Sequence, residues 1–315
     1  MGVIGAGNMG KNHIRLIREM NNLFDLRAVY DPDSERINMI GAGEYSVNSI
    51  EKLLDASDAV IIAAPSSLHK EIALEVGNAG KHLLVEKPLA LSEKDAKEIF
   101  DKYEGMNRVL MVGHVERFNG AILELEKILE DEKILALNME RCSSMDLRIS
   151  DTDVVYDLMI HDIDILLHSV MPTTKISKIV AFGRKAYSSN YMDYVQSIIT
   201  FKDETIASIV CSRATENKIR KMTIHCEKSY IVVDLLNKSI DIYRKTQLKN
   251  MGKMPTAYRQ ENVVERVFVP NNEPLKVELQ HFYDCIEKKE KCKTDASTAI
   301  ESITVLDKIK NIIYE

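Results

Sequence analysis

The 315-residue sequence lacks any apolar run long enough to cross a bilayer, because stretches such as 59–65 fall far short of the ~20 residues required. It also lacks a basic surplus: 42 lysines and arginines face 48 acids, which argues against nucleic acid or an anionic membrane as partner. No secretory leader precedes residues 2–4, and no repeats or low-complexity tracts occur. We expect a cytoplasmic protein that acts on a small molecule. The first predicted strand starts almost at Met1, so either the chain begins upstream or Met1 joins the sheet.

The cysteines give no sign of a disulfide framework or a zinc motif. Cys142, Cys211, Cys226, Cys285 and Cys292 are odd in number and scattered, with no C-x-x-C pair. This usage is typical of reduced thiols in a cytosolic protein. The cysteine pattern therefore predicts no metal site.

The length and the 45% of hydrophobic residues favour two domains with sizeable cores. In residues 1–118, short apolar segments alternate with helical ones, which predicts a doubly wound parallel sheet. Further on, an apolar helix at 154–170 precedes seven strand segments between residues 176 and 269, which predicts an open, mostly antiparallel sheet. We expect an α/β domain at 1–118 and an α+β domain at 119–315, the latter covered by helices.

The segment GAGNMG has the G-x-G-x-x-G spacing and lies between a predicted strand and a predicted helix. Gly5 permits a tight turn, Gly7 lets the backbone approach a pyrophosphate, and Gly10 allows close packing of helix on strand. Asn8 and Met9 lie at the helix N-terminus, which would face the phosphates. The motif predicts a dinucleotide site.

Three further residues are predicted to border this dinucleotide. Asp31 ends the second predicted strand, where a carboxylate would accept hydrogen bonds from the adenosine ribose and repel a 2′-phosphate. This favours NAD over NADP, although Asp31 could merely start a turn with Pro32. Pro65 ends the strand predicted at 59–64, and ligands lie at the carboxyl ends of parallel strands. His69 is either a cofactor contact or a packing histidine at a helix start.

The segment HLLVEKPLA reads as a buried strand that ends in Glu86, Lys87 and Pro88. Two charges and a residue without a backbone donor cannot continue a core strand. At the carboxyl end of a parallel strand they would face the ligand crevice, where a lysine can be partly desolvated and act on substrate. The alternative is a solvated lysine at a strand end.

The segment DLMIHDIDILLH carries a polar stripe on an apolar helix. Asp157, His161, Asp164 and His168 follow one another at spacings of 4, 3 and 4, which is one helical face, and Asp162 is the remaining charge. Unpaired buried polar groups are costly, so the stripe must face partners or a cavity. An aspartate and a histidine at i, i+4 can hydrogen-bond and orient the ring. A satisfied buried network and a metal site are the alternatives.

In this order, GAGNMG, APSSLH, VEKPLA, GHVERFN and YDLMIHDID resemble the glucose–fructose oxidoreductase/inositol dehydrogenase family (Gfo/Idh/MocA) over nearly the whole chain. The resemblance implies a Rossmann domain with NAD and an open-sheet domain that often oligomerises, here as a homodimer or homotetramer. It places Lys87, Asp157 and His161 in the catalytic positions and Glu86 near the nicotinamide, and it implies a cis bond before Pro88.

The chemistry that the resemblance implies is hydride transfer from a secondary alcohol carbon to nicotinamide. His161 would be the general base, oriented by Asp157, while Lys87 would stabilise the developing alkoxide. Lys87 as the proton acceptor is the alternative. Met159 departs from the glycine that many relatives have in D-x-G-x-H, which puts the packing behind the helix in doubt.

GHVERFN and HDIDIL resemble the branch that oxidises UDP-N-acetylglucosamine at C3 to a 3-keto sugar, ready for a partner aminotransferase. Glu116, Arg117 and Asn119 could then line the sugar pocket. Arg141 and Arg148 could meet the diphosphate or form ordinary surface ion pairs. A dehydrogenase of a free sugar or cyclitol such as inositol is the alternative, and a non-catalytic NAD-binding sensor is the alternative of another class.

Overall fold

The structure is a computed structural model that describes residues 1–145, 153–187, 190–244, 249–250, 258–259 and 263–315. Its packing divides into two units. The first contains Met1–Phe118 and Glu273–Asp307, and the second contains Asn119–Asn272 and Lys308–Glu315.

The expected second domain, 119–315, needs a correction at its C-terminal end. The first unit reaches Phe118, as the predicted boundary has it, but it also includes Glu273–Asp307. The physical reason is apolar packing: Leu275, Leu279 and Phe282 are buried in the same core as the first strand and the first helix.

The first unit contains a five-stranded sheet in the order β2-β1-β3-β4-β5, and all its neighbouring pairs are parallel. Buried apolar clusters cover both faces of this sheet, as expected for a doubly wound fold. The strands are β1 Gly2–Ile4, β2 Ala28–Tyr30, β3 Ala59–Ile62, β4 His82–Glu86 and β5 Leu110–Gly113. The helices before the boundary are α1 Asn8–Glu19, α2 Ser34–Met39, α3 Ile50–Asp55, α4 His69–Asn78 and α5 Glu93–Tyr103.

Met1 takes part in the sheet hydrogen bonding. Its carbonyl oxygen accepts a hydrogen bond from the backbone N–H of Arg27 at 2.9 Å, and this extends the pairing of β1 with β2 by one residue.

The second unit contains an eight-stranded sheet in the order β15-β12-β11-β10-β6-β9-β8-β7. Its pairs are antiparallel except for β6 with β9, which confirms the mostly antiparallel sheet. The hairpin β13–β14 has no counterpart among the predicted strands. The strands are β6 Ile134–Cys142, β7 Ile176–Arg184, β8 Tyr194–Phe201, β9 Ile206–Ser212, β10 Ile219–Cys226, β11 Ser229–Asp234, β12 Ser239–Arg244, β13 Lys249–Asn250, β14 Tyr258–Arg259 and β15 Val263–Val267.

The helix predicted at 154–170 is not uniform. Its centre is the α-helix α7, Ile160–Ile165, and it is flanked by the π-helical segments Val155–Met159 and Leu166–Val170. Such π segments are uncommon and occur frequently at functional sites. The remaining helices are α6 Gly120–Leu129, α8 Pro274–Glu287 and α9 Ala296–Tyr314. In the part of the chain that the structure describes, no helix is long and apolar enough to span a membrane.

Candidate functional site

The turn between β1 and α1 requires glycine at two of its three glycine positions. Gly5 has a φ of +97°, and a Cβ there would lie 2.5 Å from the carbonyl oxygen of Ala63. A Cβ on Gly10 would lie 1.9 Å from the carbonyl oxygen of Gly5. A Cβ on Gly7, in contrast, would meet no atom within 4 Å. Gly5 therefore lets the turn pass close to the residues after β3, and Gly10 lets α1 pack closely on the end of β1. Gly7 leaves open space where a ligand can approach the backbone.

The first turn of α1 presents backbone donors beside this space. Lys11 donates the first intrahelical bond, to the carbonyl oxygen of Gly7 at 2.8 Å, so the amides of Asn8 and Met9 precede the hydrogen-bonded ladder. Together with the helix dipole, these amides suit the pyrophosphate of a dinucleotide.

A cavity of about 560 Å³ adjoins the glycine turn, and the side chains around it suit an adenosine ribose. Asp31 is held in one orientation, because Oδ2 accepts from the Ala6 amide at 2.8 Å and Oδ1 from the Asp33 amide at 2.9 Å. Each carboxylate oxygen keeps a further lone pair for a ribose hydroxyl. The residues predicted for the cofactor that line the cavity are Gly5, Gly7, Asp31 and Pro65.

The charges around the cavity favour NAD over NADP. Glu71 and Glu75 line it together with Asp31, so three carboxylates would oppose a 2′-phosphate. Arg36 also lines the cavity, but its Nε lies 3.2 Å from a carboxylate oxygen of Asp33. The residues present therefore fit NAD.

Lys87 lies at the carboxyl end of β4, as predicted. It is partly exposed, whereas residues 83–86 and 88–90 on either side of it are buried. The Lys87–Pro88 peptide bond is cis, as the family resemblance implies. At the end of this strand, Lys87 is therefore the side chain that solvent or a ligand can reach.

His69 differs from the expected cofactor contact. It is only 1% exposed, its Nδ1 lies 2.7 Å from the carbonyl oxygen of Pro88, and its Nε2 lies 3.0 Å from that of Ala64. Burial lowers the pKa of His69, although these two carbonyls favour its charged form. A neutral ring donates to only one of them, and the shorter contact is to Pro88. We therefore assign His69 a positioning role, because it joins the ends of β3 and β4 behind Lys87.

Glu86 and two residues that the sequence analysis missed form a buried polar cluster. His13 on α1 is fully buried, and its Nε2 lies 2.7 Å from Oε1 of Glu86. Glu278 on α8 is 0% exposed, and neither carboxyl oxygen has a hydrogen-bond partner within the described part of the chain. Burial, and secondarily the charge of Glu86, raise the pKa of Glu278 well above its usual value. Burial among apolar side chains therefore favours the protonated, neutral form of Glu278.

The sequence contains a signal for both missed residues. His13 shares a helical face with Gly10, Ile14 and Ile17, all of them buried. Such a histidine is a polar group on an apolar face, and a face of this kind packs against the core. Glu278 is placed in the same way, one residue before the buried Leu279 of α8.

In the second unit, the polar stripe divides into exposed and buried members. Asp157 lies in the first π-helical segment and His161 in α7, and both are partly exposed. His168 in the second π-helical segment is also partly exposed, whereas Asp164 is 1% exposed. Asp157 and His161 are thus accessible to a ligand.

Arg141 does not meet a diphosphate, contrary to one expectation. It is 1% exposed, and its Nε and Nη2 each lie 2.9 Å from Oδ1 of Asp162, which is also buried. A buried arginine needs such a partner, and the Cys211 thiol lies 3.8 Å from the other oxygen of Asp162. This pair fixes α7 against the sheet of the second unit.

Three predicted sugar contacts differ in their surroundings. The Asn119 side chain is hydrogen-bonded to the backbone: its Oδ1 accepts from the Ala121 amide at 3.1 Å, and its Nδ2 donates to the Leu235 carbonyl oxygen at 3.1 Å. It is the N-cap of α6, and its sugar contact stays a prediction. Glu116 and Arg117 are 7% and 5% exposed. Their sugar contacts stay predictions, and Arg148 lies outside the described residues.

Comparison with known proteins places this geometry in a class. Residues 1–114 match the oxidoreductase family with the NAD-binding Rossmann fold, and residues 145–232 match the Gfo/Idh/MocA C-terminal domain. Together these matches span well over half of the chain, and the protein is an NAD-binding oxidoreductase. The chain belongs to the Gfo/Idh/MocA family.

Individual relatives are similar over almost the full length. UDP-N-acetylglucosamine 3-dehydrogenase of Acidithiobacillus ferrooxidans is 29% identical over 90% of this chain and 88% of its own. A solved structure of that enzyme superimposes with a TM-score of 0.88 at 27% identity, covering 99% of this chain and 96% of the other. An inositol 2-dehydrogenase/D-chiro-inositol 3-dehydrogenase of Halalkalibacterium halodurans is 23% identical over 91% of this chain and 83% of its own.

Proposed function

We propose that this protein oxidises the C3 hydroxyl of UDP-N-acetylglucosamine to the 3-keto sugar, with NAD as hydride acceptor. The observation that carries the proposal is the 29% identity to a UDP-N-acetylglucosamine 3-dehydrogenase over 90% of the chain. The presence of Lys87, Asp157 and His161 at the family's catalytic positions supports it.

The chain's own residues supply the positioning and the proton transfer. Bound NAD supplies the hydride acceptor, and the carbon that loses the hydride must lose its hydroxyl proton in the same step. His161 takes that proton, with its ring oriented by Asp157. The Lys87 ammonium donates a hydrogen bond to the reacting oxygen and stabilises its developing negative charge.

The distribution of roles between Lys87 and His161 can be tested by pH dependence. If His161 is the base, kcat rises with pH through a histidine-like transition, and His161→Asn removes that transition. Lys87→Met lowers kcat but leaves the transition in the residual activity. The alternative assignment, with Lys87 as the base, predicts that the transition survives in His161→Asn and disappears in Lys87→Met.

The predicted substrate contacts outside this catalytic group are Glu116, Arg117, Asn119 and Arg148. An arginine suits a diphosphate because its guanidinium makes paired hydrogen bonds to phosphate oxygens. Arg148→Ala is therefore expected to raise KM for the nucleotide sugar with a smaller effect on KM for NAD.

A dehydrogenase of a free cyclitol is the second candidate. Inositol 2-dehydrogenases are among the relatives, such as one of Klebsiella pneumoniae that is 29% identical over 53% of this chain. NADH absorbance, followed with UDP-N-acetylglucosamine and with a panel of free sugars and inositols, separates the two. A signal confined to the polyols would remove the nucleotide-sugar assignment. Unchanged activity in Lys87→Ala and His161→Ala would favour a non-catalytic NAD sensor.

A homodimer or homotetramer formed through the open sheet fits the exposed side chains of the second unit. Phe182, Ile198 and Ile206 are 70%, 42% and 48% exposed, and the strand registers place them on one face of the sheet. Light scattering on Ile198→Glu and on the wild type tests this, since a monomeric wild type would contradict it. We further propose a cytoplasmic location and a partner aminotransferase that consumes the 3-keto product.

A further inference from the structure

Three potential metal ligands converge at the C-terminal end of α8, and none of them is among the residues that line the described cofactor cavity. His281 and Cys285 are one turn apart on α8, and Cys292 follows in the segment before α9. One donor atom from each lies within 4.8 Å of the others. Among the described residues, these three form the group of His, Cys, Asp or Glu side chains whose donor atoms all lie this close together.

The donor spacing suits a tetrahedral ion with nitrogen and sulfur ligands. Sγ of Cys285 lies 3.4 Å from Nε2 of His281. Two such atoms bound to Zn²⁺ at the usual 2.0–2.3 Å and a tetrahedral angle are about 3.5 Å apart. The cluster therefore already has one edge of the expected tetrahedron.

The hydrogen bonding of the His281 ring also suits a metal. The Lys293 amide donates to Nε2 of His281 at 2.9 Å, so this nitrogen carries the lone pair that ligation needs. Metal binding would displace the Lys293 amide, and the two cysteine thiols would release their protons to solvent on ligation.

We propose that His281, Cys285 and Cys292 bind one thiophilic divalent cation, with Zn²⁺ as the physiological ion and water in the fourth position. Cys285 is buried and Cys292 is partly exposed, so the ion has a protein side and a solvent side. Sulfur-rich coordination selects zinc over magnesium or calcium, which prefer oxygen ligands.

The structure assigns this ion a stabilising role. Two residues beyond Cys292, the Thr294 carbonyl oxygen accepts from the Val112 amide of β5 at 2.8 Å, and Asp295 forms a β-bridge with Met111. An ion shared by α8 and Cys292 would therefore fix the segment that covers the edge of the parallel sheet. Loss of the ion should lower the thermal stability while the ordinary turnover of the folded enzyme continues.

The test uses the untagged full-length protein, because a histidine tag binds zinc. We expect the protein purified without chelator to contain about one zinc per chain by elemental analysis. After chelation, Co²⁺ should give the intense visible bands of a tetrahedral site and a thiolate-to-cobalt charge-transfer band. Cys285→Ser and Cys292→Ser should each lose or strongly weaken that band, whereas Cys226→Ser, at a buried cysteine of the second unit, should keep it.

Two results would overturn the assignment. One is a wild-type protein that retains no zinc and shows no thiolate band with Co²⁺, a result that does not depend on whether the variants fold. The other is a cobalt spectrum that persists unchanged in Cys292→Ser. A Cys285–Cys292 disulfide, identified by peptide mapping without reductant, would also count against the site if the reduced protein binds no metal.

Discussion

Replacement by alanine should affect cofactor binding at one glycine of the motif and the stability of the fold at another. At Gly7 the added methyl group meets no protein atom within 4 Å, and the φ of −71° is one that alanine adopts readily. The apo protein should therefore change in stability by no more than about 0.5 kcal/mol. Because the methyl group occupies the space beside the α1 amides, the Kd for NADH should rise roughly tenfold or more, which is about 1.4 kcal/mol.

At Gly10 the same methyl group would collide with the protein itself. Its Cβ would lie 1.9 Å from the carbonyl oxygen of Gly5, so the backbone must move by about 1 Å to restore an ordinary contact. Overpacking of this kind costs about 2–3 kcal/mol, and Gly10→Ala should lose that amount of unfolding free energy even without cofactor.

The pair is measured by urea unfolding followed by far-ultraviolet circular dichroism and by titration with NADH. The chain contains no tryptophan, so binding is followed by the nicotinamide fluorescence of NADH, excited directly. Equal destabilisation of the two apo variants would refute the reasoning, as would unaltered NADH binding by Gly7→Ala.

Three further predictions concern single side chains of the first unit. Glu278→Gln should match the wild type in unfolding free energy near pH 4.5 and should become increasingly more stable than the wild type as the pH rises, by at most about 1.4 kcal/mol per pH unit. The reason is that the raised pKa keeps Glu278 protonated in the folded state at pH values where it ionises in the unfolded state. Urea unfolding between pH 5 and 8 would contradict this if the difference in unfolding free energy between the two proteins did not grow. Asp31→Asn should weaken the binding of NAD and reduce the preference for NAD over NADP, measured as the ratio of the kcat/KM values for the two cofactors. An unchanged ratio would show that Asp31 does not discriminate between them. His69→Leu should lower kcat roughly ten- to a hundredfold with little change in KM for NAD, whereas His69→Asn, which keeps a donor for the Pro88 carbonyl, should retain most activity; equal losses in both would argue against a positioning role.

Much of the fold was predictable because the pattern of apolar and polar residues changes once along the chain, between the first domain and the second. Fully apolar segments such as Ala59–Ile62 indicate strands buried on both faces, and alternation such as that in Tyr194–Phe201 indicates strands with one outer face. The assignment of α8 to the first unit was not predictable, since an amphipathic helix does not specify which core its apolar face will join.

The candidate site was predictable where position along a strand or helix determines the role. Lys87 follows from the end of a parallel strand, and the accessibility of Asp157 and His161 follows from a polar stripe on an apolar helix. Arg141 could not be assigned in this way, because its partner Asp162 is reached only through packing of α7 on the sheet. The same holds for Cys285 and Cys292, whose proximity depends on the course of the chain after α8.

The most direct test of the central claim is transfer of a labelled hydrogen. UDP-N-acetylglucosamine carrying deuterium at C3 is incubated with the enzyme and NAD, and the reduced cofactor is analysed by mass spectrometry. The account predicts that the cofactor gains the deuterium and that the sugar nucleotide becomes the 3-keto product. Unlabelled NADH from this substrate, or no reduction while a free cyclitol reduces NAD, would contradict it.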